Sequence, residues 1–377
     1  MRGCGHLRPP GEGGGGAQRV GFGGQHLPGA RAAGAGASGA GGRPADLPGH
    51  GVVRPRSPTG RLRALADLVS LGEALVEFAA VDGSLEEADT YRRGFGGDTS
   101  NFAVAAARLG ARVAYITRVG DDEFGRSLLR MWQREGVDTA YVQVAPDEPT
   151  GIYFLAHDRE GRGRFTYYRA GSAASRLSRD GLPVQALDGA RLLHTSGISQ
   201  AISASAREAV RWAMERARRQ GVVVSYDLNV RPKLLPPDRF RALVLETLPL
   251  VELAFLSTED AEYVFGGCDE QQTLQAVIDA GARVAVLKRA EQGCAVATAE
   301  GDRLSVPAWP VDVVDSTGAG DAFDAAFAVK WLEGRPLEEA ARFANAVGAL
   351  ATTGLGATAA LPTRRHVEAF LAGRARL

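Results

Sequence analysis

The sequence predicts an α/β protein: a mostly parallel sheet flanked by helices on both faces, with a second, small sheet. Two observations carry this prediction. From Asp67 onward, apolar strand-like runs alternate with helical patterns, and a repeated β-α-β order is typical of a parallel sheet covered by helices on both faces. The runs over 150–158 and 163–171 follow each other without a helix between them, so we expect them to form a small sheet that projects from the main body.

The first half of the predicted domain contains the start of the main sheet and the small sheet. Its first helix ends at Gly110, because glycine is a natural C-terminal stop. We expect the small sheet to comprise about residues 75–95 and 141–170. In chain order, the predicted elements are a strand with a glycine at its middle over 67–78, a helix over 98–110, a strand over 112–120, a helix over 122–136, and a β-hairpin formed by 150–158 and 163–171.

The second half resumes the alternation and supplies the rest of the main sheet. Open parallel sheets bind ligands in the crevice outside the carboxyl ends of their strands, so the residues directly after each strand are candidates for a site. The predicted elements are strands over 190–197, 222–229, 251–257 and 283–289, a helix over 203–221 with further helices between the later strands, helices near 319–333 and 336–353, and a closing helix over 363–373.

Residues 1–66 are predicted to be a disordered Gly/Arg-rich extension, and residues 67–377 the folded domain. The first 60 residues hold 19 of the 48 glycines, and seven arginines against only two acidic residues. Such a segment buries too little apolar surface to offset its chain entropy. It also lacks the continuous apolar core of a secretory signal.

The overall composition gives no reason to expect a nucleic-acid or membrane partner. Lys+Arg and Asp+Glu both number 44, and no stretch of 18 apolar residues is present. The three cysteines lie at positions 4, 268 and 294, too far apart in sequence for a zinc-binding motif, and they suit a reducing cytoplasm. The expected location is therefore the cytoplasm.

The stretch "DSTGAGDAF" over 315–323 has the ingredients of an anion site. Gly318, Ala319 and Gly320 stand directly before Asp321, between a strand-like run and a helix. Small residues let the backbone approach a ligand closely, and the N–H groups at a helix start carry partial positive charge. The carboxylate of Asp321 suits a base that accepts the proton of an attacking hydroxyl; the alternative is that it only caps the helix.

A second segment, 94–125, combines a Gly-Gly turn, an Asn at a helix start and a later "GDDEFG". Together with "DSTGAGDAF", in this order and separation, it resembles the two signatures of the ribokinase-like (PfkB) carbohydrate kinases. The resemblance covers about residues 67–377. It implies a doubly wound α/β domain with a small β-sheet lid over a sugar, and phosphoryl transfer from ATP with Mg²⁺ bound chiefly by phosphates and water.

The resemblance also implies roles for individual residues. Asp321 matches the catalytic base, and the backbone of Gly318, Ala319 and Gly320 matches the anion hole for developing charge. Gly97 and Asn101 match sugar-binding positions. The positions expected near the nucleotide are Asn229, Lys288, Gly293, Thr317 and Asn345.

The sequence departs from the family pattern at two places. The family often carries Asn-x-x-Glu after a late strand, linked to the metal and phosphates, and here Ser257 and Asp260 stand in those positions. Asp260 keeps a carboxylate that is one methylene shorter, which leaves it as a weak metal candidate. The nucleotide loop often reads Lys-x-Gly, and here Ala290 replaces that glycine while Gly293 remains.

Two arginines bear on the substrate. Arg169 leaves the predicted hairpin, and Arg231 follows the carboxyl end of a central strand. An arginine fork binds a carboxylate with two parallel hydrogen bonds, so two such forks favour a sugar acid over a neutral sugar. The alternatives are that both arginines face solvent, or that Arg231 touches phosphates.

The stretches around these arginines resemble the 2-keto-3-deoxygluconate kinases within the family. Tyr153, Tyr167 and Arg169 match substrate contacts of that subgroup, although ordinary lid packing of the two tyrosines is the alternative. The resemblance implies phosphorylation of the terminal hydroxyl of 2-dehydro-3-deoxy-D-gluconate and a homo-oligomer formed through the lid. The alternatives are another sugar kinase of the family, acting on fructose, ribose or 5-dehydro-2-deoxygluconate, or a non-catalytic sugar sensor.

Overall fold

The structure, a computed structural model, describes residues 66–157 and 163–374. The predicted N-terminal extension, apart from its last residue, and the tip of the predicted hairpin lie outside the described residues. The strands are β1 (Leu68–Leu71), β2 (Leu75–Ala80), β3 (Tyr91–Gly96), β4 (Val113–Gly120), β5 (Val142–Ala145), β6 (Ile152–His157), β7 (Gly163–Tyr168), β8 (Leu192–Ser196), β9 (Val223–Asp227), β10 (Leu253–Ser257), β11 (Val284–Lys288), β12 (Cys294–Thr298) and β13 (Arg303–Val306).

The helices cover both faces of the main sheet, as the alternating pattern predicts. The six helices for which the sequence predicts a start begin within one residue of it, and Asp122, Ser203 and Thr363 cap three of them. They are α1 (Asp98–Arg108), α2 (Glu123–Arg134), α3 (Gly197–Ala201), α4 (Ala204–Arg219), α5 (Pro237–Thr247), α6 (Thr258–Phe265), α7 (Glu270–Asp279), α8 (Ala319–Leu332), α9 (Leu337–Ala351) and α10 (Arg364–Leu371).

The main sheet has the order β13-β12-β11-β10-β9-β8-β1-β4-β5. Its strands are parallel from β11 to β5, and β12 and β13 pair antiparallel at one edge. From the central β1 the chain builds outward first through β4 and β5, and then on the other side through β8 to β11. This reversal of strand order places a ligand crevice at the carboxyl ends of the central strands.

Two apolar layers sandwich this sheet, since side chains alternate along each strand. In β10, Leu253 and Phe255 face one layer, and Ala254 and Leu256 face the other. Phe255 packs edge-on against Phe327 of α8, with ring centroids 5.5 Å apart. The doubly wound, mostly parallel fold predicted from the sequence is therefore confirmed.

The single strand predicted over 67–78 is wrong: the structure has two strands there, in different sheets. β1 belongs to the main sheet and β2 to the small one, and the chain passes between them through residues 72–74. At Gly72 the backbone lies so close to α3 that a Cβ would meet Ser199 Oγ at 2.1 Å. The apolar run is continuous in sequence, but the chain leaves the main sheet at this close approach.

The small sheet, here called the lid, has the order β3-β2-β6-β7. β6 and β7 pair antiparallel, as the predicted hairpin requires. Tyr153 lies opposite Tyr167 on one face, whereas Phe154 and Tyr168 lie on the other face. The predicted lid boundary at 141 is wrong, because β5 pairs with β4 in the main sheet.

Among the described residues, no helix combines the length and the apolar character that crossing a membrane requires.

Candidate active site

One cleft runs between the lid and the carboxyl ends of the main-sheet strands, with a volume of about 2550 Å³. Every site residue predicted from the sequence lines it. These residues come from all parts of the domain: Gly97, Asn101, Tyr153, Tyr167, Arg169, Asn229, Arg231, Asp260, Lys288, Gly293, Thr317, Gly318, Ala319, Gly320, Asp321 and Asn345.

Asp321 lies in the first turn of α8 but does not cap this helix. The N-cap position is Gly318, and no side chain caps the helix there. The Oδ2 atom of Asp321 instead accepts a hydrogen bond from Asn101 Nδ2 at 2.8 Å, across to α1. Burial, followed by the negative charge of Asp98, raises the pKa of Asp321 to about 7. A carboxyl with a pKa near neutrality suits general base chemistry.

The turn before Asp321 is shaped by glycine. Gly318 has φ of 80°, and a Cβ there would lie 2.7 Å from the carbonyl oxygen of Ala357. A Cβ at Gly320 would meet no atom closer than Lys288 Nζ, at 3.5 Å. The backbone at the start of α8 is therefore open toward the cleft, and an ammonium group lies beside it.

Asp315 holds the loop that leads into this turn. Its Oδ1 accepts hydrogen bonds from the backbone N–H of Thr317 at 2.9 Å and from the Thr317 hydroxyl at 2.7 Å. Its Oδ2 accepts from the backbone N–H of Gly356 at 2.8 Å. Because the Thr317 hydroxyl donates to Asp315, the structure gives it a part in loop geometry, and its contact with a nucleotide stays a prediction.

The Gly-Gly turn before α1 lies against the link between the two sheets. Gly97 has φ of 99°, and a Cβ there would be 2.4 Å from the carbonyl oxygen of Glu73. The next residue, Asp98, accepts a hydrogen bond from Asn229 Nδ2 at 3.0 Å. Asn229 thus ties the end of β9 to the predicted sugar-binding turn, and its predicted nucleotide role remains untested.

Lys288 ends β11 and forms the centre of a buried charge cluster. Its Nζ lies 3.0 Å from Asp227 Oδ2 and 3.0 Å from both carboxylate oxygens of Asp324. Burial opposes the charged ammonium, but the attraction of Asp227 and Asp324 outweighs burial and raises the pKa of Lys288. The sequence analysis did not identify Asp324 as a site residue. Its position three residues after Asp321 places both carboxylates on one face of α8 and could have indicated it.

The two arginines differ in their surroundings. Arg169 is largely buried, and its guanidinium pairs with the carboxylate of Glu73, of which the side chain is 1% exposed. Arg231 is exposed, and its Nη1 donates to the carbonyl oxygen of Val230 at 2.9 Å. Both cations act on Tyr167: Arg169 lies 5.3 Å from its ring centre, and the charges of Arg231 and Arg169 oppose the rise in the Tyr167 pKa that burial causes.

The two lid tyrosines also differ. Tyr153 is buried, and its hydroxyl donates to the Glu77 carboxylate on the neighbouring strand. Tyr167 is 36% exposed, and its ring lies 5.6 Å from that of Tyr153. Lid packing therefore explains the burial of Tyr153, whereas Tyr167 is partly exposed where it lines the cleft.

Both carboxylate oxygens of Asp260 have backbone partners, and its weak metal role stays a prediction. It closes a capping box at α6, where its Oδ2 accepts from the backbone N–H of Ser257 at 2.8 Å. Its Oδ1 accepts from the backbone N–H of Val230 at 2.7 Å. Both oxygens are thus used in holding backbone, and the residues that the structure describes contain no group of three or more His, Cys, Asp or Glu arranged to hold a metal ion.

Gly293 and Asn345 meet the same segment, residues 306–308. Gly293 packs directly against its backbone, and Asn345 Nδ2 donates to the carbonyl oxygens of Val306 and Pro307 at 3.1 Å each. Ala290, where the family often has glycine, adopts φ of 49°, a conformation that is uncommon for residues other than glycine. The loop keeps its left-handed backbone despite the substitution.

A model of a protein family described as "pfkB family carbohydrate kinase" matches residues 65–364 of this chain. The chain belongs to the pfkB family. It is a carbohydrate kinase, and the resemblance inferred from its two glycine-rich segments is confirmed.

Individual pfkB relatives include kinases of acidic and of neutral sugars. A 2-dehydro-3-deoxygluconokinase of Thermoproteus tenax is 35% identical over 82% of this chain and 95% of that protein. A probable fructokinase-4 of Arabidopsis thaliana is 33% identical over 81% of this chain and 97% of that protein. A crystal structure of a putative ribokinase II from E. coli, in complex with ATP and Mg²⁺, superposes with a TM-score of 0.76 at 26% identity, over 82% of this chain and 100% of that one.

Proposed function

We propose that this protein phosphorylates 2-dehydro-3-deoxy-D-gluconate at its terminal hydroxyl, with ATP as the phosphoryl donor. The observation that carries the choice of a sugar acid is the exposed guanidinium of Arg231, which lines the cleft near Tyr167. A guanidinium that has no carboxylate partner among the described residues matches a carboxylate better than a neutral ketose. The similarity to 2-dehydro-3-deoxygluconokinases supports this choice, and the similarity to fructokinases makes fructose the rival substrate.

In the proposed reaction, Asp321 accepts the proton of the terminal hydroxyl while that oxygen attacks the γ-phosphorus. The new P–O bond forms as the bond to the β-phosphate oxygen breaks, and ADP leaves. Asn101 holds Oδ2 of Asp321, and we assign Oδ1 to the proton. The backbone N–H groups of Gly318, Ala319 and Gly320, at the positive end of α8, stabilise the charge that develops on the transferred phosphoryl group.

The cleft fits ATP and Mg²⁺, which are present in the similar E. coli structure. The open backbone at Gly320 leaves room for phosphates, and Lys288 supplies a cation beside it. When bound, Mg²⁺ neutralises phosphate charge and is held chiefly by phosphates and water. Asp227, which lines the cleft at the end of β9, is the carboxylate whose position and chemistry fit this ion.

The proposal is tested by ADP release with a panel of 2-dehydro-3-deoxy-D-gluconate, fructose, ribose and 5-dehydro-2-deoxygluconate. We expect the highest kcat/KM with the first. In Arg231→Ala, kcat/KM for the keto acid should fall about 10²-fold, since a charge-assisted pair is lost, and that for fructose should change little. Equal losses of kcat/KM with both sugars would contradict the proposal that Arg231 binds the substrate carboxylate. No ADP release with any sugar would favour the sensor alternative.

We expect kcat/KM to fall as the pH is lowered through about 7. The pKa of Asp321 is raised to about 7, first by burial and next by Asp98, and a base has to be ionised to accept a proton, so protonation below that pH removes activity. Asp98→Asn removes one neighbouring negative charge, so the acidic limb of the pH–rate profile, where activity is lost, should move to lower pH. The measurement is the pH–rate profile of both proteins; a limb at the same pH in both would contradict its assignment to Asp321.

We further propose that a second copy of the chain pairs over the outer face of the lid. That face carries a contiguous aromatic cluster in which Phe78 stacks on Phe154 and Tyr168 meets Phe154 edge-on. Tyr168 is 64% exposed, and exposed apolar clusters of this kind mark association sites. Light scattering should give a dimer for the native chain and a monomer for Tyr168→Glu; a monomer for both would end this proposal.

A further inference from the structure

Arg169 has a buried partner, Glu73, whose negative charge offsets the positive charge of the guanidinium in the cleft wall next to the lid. Glu73 lies in the link between β1 and β2, and its carboxylate pairs with the guanidinium of Arg169, which follows β7. The pair therefore joins two of the connections between the lid and the main sheet. Both side chains line the cleft, so the ion pair is part of its wall.

The backbone of Glu73 is fixed by its surroundings. Its carbonyl oxygen accepts a hydrogen bond from Thr99 Oγ1 at 3.3 Å and touches the Gly97 turn. The carboxylate is shielded from solvent, since the side chain is 1% exposed. A ligand that displaced it from Arg169 would leave a buried, unpaired negative charge near Asp98, an arrangement that proteins avoid.

We propose that Glu73 is a specificity-determining residue: it neutralises Arg169 and so leaves Arg231 as the group that binds the substrate carboxylate. In this arrangement Arg169 positions Tyr167 and the lid while Glu73 offsets its positive charge, and Arg231 is the arginine of the two that is left for the substrate carboxylate. Glu73 thereby limits the preference for anionic over neutral sugars. This inference rests on the proposed use of a sugar acid.

Two matched ligands separate this inference from the proposed function. D-gluconate and D-glucitol share a six-carbon polyol chain and differ at one end, where one has a carboxylate and the other a hydroxymethyl group. Their dissociation constants, measured by calorimetry at pH 8, give an acid-over-neutral ratio that does not depend on turnover. At this pH Glu73 is ionised, because burial raises the pKa of Glu73 only to about 7, with Arg169 opposing the rise and Asp98 adding to it.

In Glu73→Gln we expect the acid-over-neutral ratio to rise about tenfold, because Arg169 then acts on the ligand as an uncompensated charge through an effective dielectric constant of about 20. Arg169→Gln should lower the ratio, since it leaves Glu73 as an uncompensated negative charge. The double variant, in which the pair is replaced by two neutral amides, should return the ratio close to that of the native chain. This return is the result that a merely structural role does not produce.

The matched control is Glu148→Gln. Glu148 pairs with Arg118 at 2.7 Å in a partly buried ion pair outside the cleft, so we expect no change in the ratio. An unchanged ratio in Glu73→Gln, or equal loss of both ligands in all three variants, would overturn the inference. If the native chain binds gluconate but does not phosphorylate 2-dehydro-3-deoxy-D-gluconate, the proposed function fails while the role of Glu73 is still decided by the ratio.

Discussion

Asp321→Asn is expected to lower kcat by about 10²–10⁴-fold, the range that a positioned general base contributes. An amide cannot accept the proton from the sugar hydroxyl, but it keeps the size of the carboxylate and the hydrogen bond from Asn101. ATP affinity should therefore change only a few-fold. Steady-state ADP release gives kcat, and calorimetry with ATP gives the affinity.

Asp312→Asn is the matched control for this prediction. Asp312 is an exposed acid on the loop that leads to the same motif, and its side chain does not line the cleft. We expect this variant to retain native kcat. Near-native turnover in Asp321→Asn, with the substitution verified by mass, would remove the assignment of the base.

Lys288→Met is expected to lower the free energy of unfolding by about 3–5 kcal/mol, the loss seen when one partner of a buried ion pair is removed. The substitution leaves Asp227 and Asp324 facing each other, with side chains 5% and 1% exposed and no cation between them. Urea denaturation measures this change. Activity should fall as well, because the same ammonium lies beside the open backbone of Gly320.

Lys330→Met serves as the control because it removes a lysine of comparable burial from α8. Lys330 pairs with a single carboxylate, Glu333, which is 29% exposed and can regain water. We expect it to lower the free energy of unfolding by only about 1 kcal/mol. Equal losses in the two variants would show that the carboxylate cluster is not the source of the large effect.

The sequence was sufficient for features that depend on neighbouring residues. The alternation of apolar runs predicted a mostly parallel sheet, and small residues before Asp321 predicted an open helix start, which the structure has at Gly320. The hairpin of β6 and β7 was also local, since its strands are adjacent in the chain. Each of these features is fixed by spacing and residue type within a few turns of the backbone.

Features that depend on distant contacts were missed. The apolar run over 67–78 looks continuous, yet the chain changes sheets where Gly72 meets α3. β3 contains two arginines and two glycines, so it lacks the apolar alternation of a strand, and it is held by pairing with β2. Short edge strands such as β5 and β13 are likewise held in extended form by pairing with a neighbouring strand.

The same limit applies to the site. Arg169 was identified as a carboxylate-binding candidate, but nothing adjacent in sequence indicates that Glu73 already pairs with it. Asp260 carries the residue type of a metal ligand, and only the positions of Ser257 and Val230 show that its oxygens hold backbone. Sequence identified the residues around the cleft; the pairings among them follow from the fold.

The short link between the two sheets bears on how the lid can move relative to the main sheet. Residues 72–74 are the whole connection between β1 and the first lid strand, so a movement of the lid relative to β1 requires backbone rotation in these few residues as well as in the other connections of the lid. Gly97 lies against the carbonyl of Glu73, in the middle of this link. We therefore expect a movement of the lid that admits the sugar to shift the predicted sugar-binding turn at Gly97 as well.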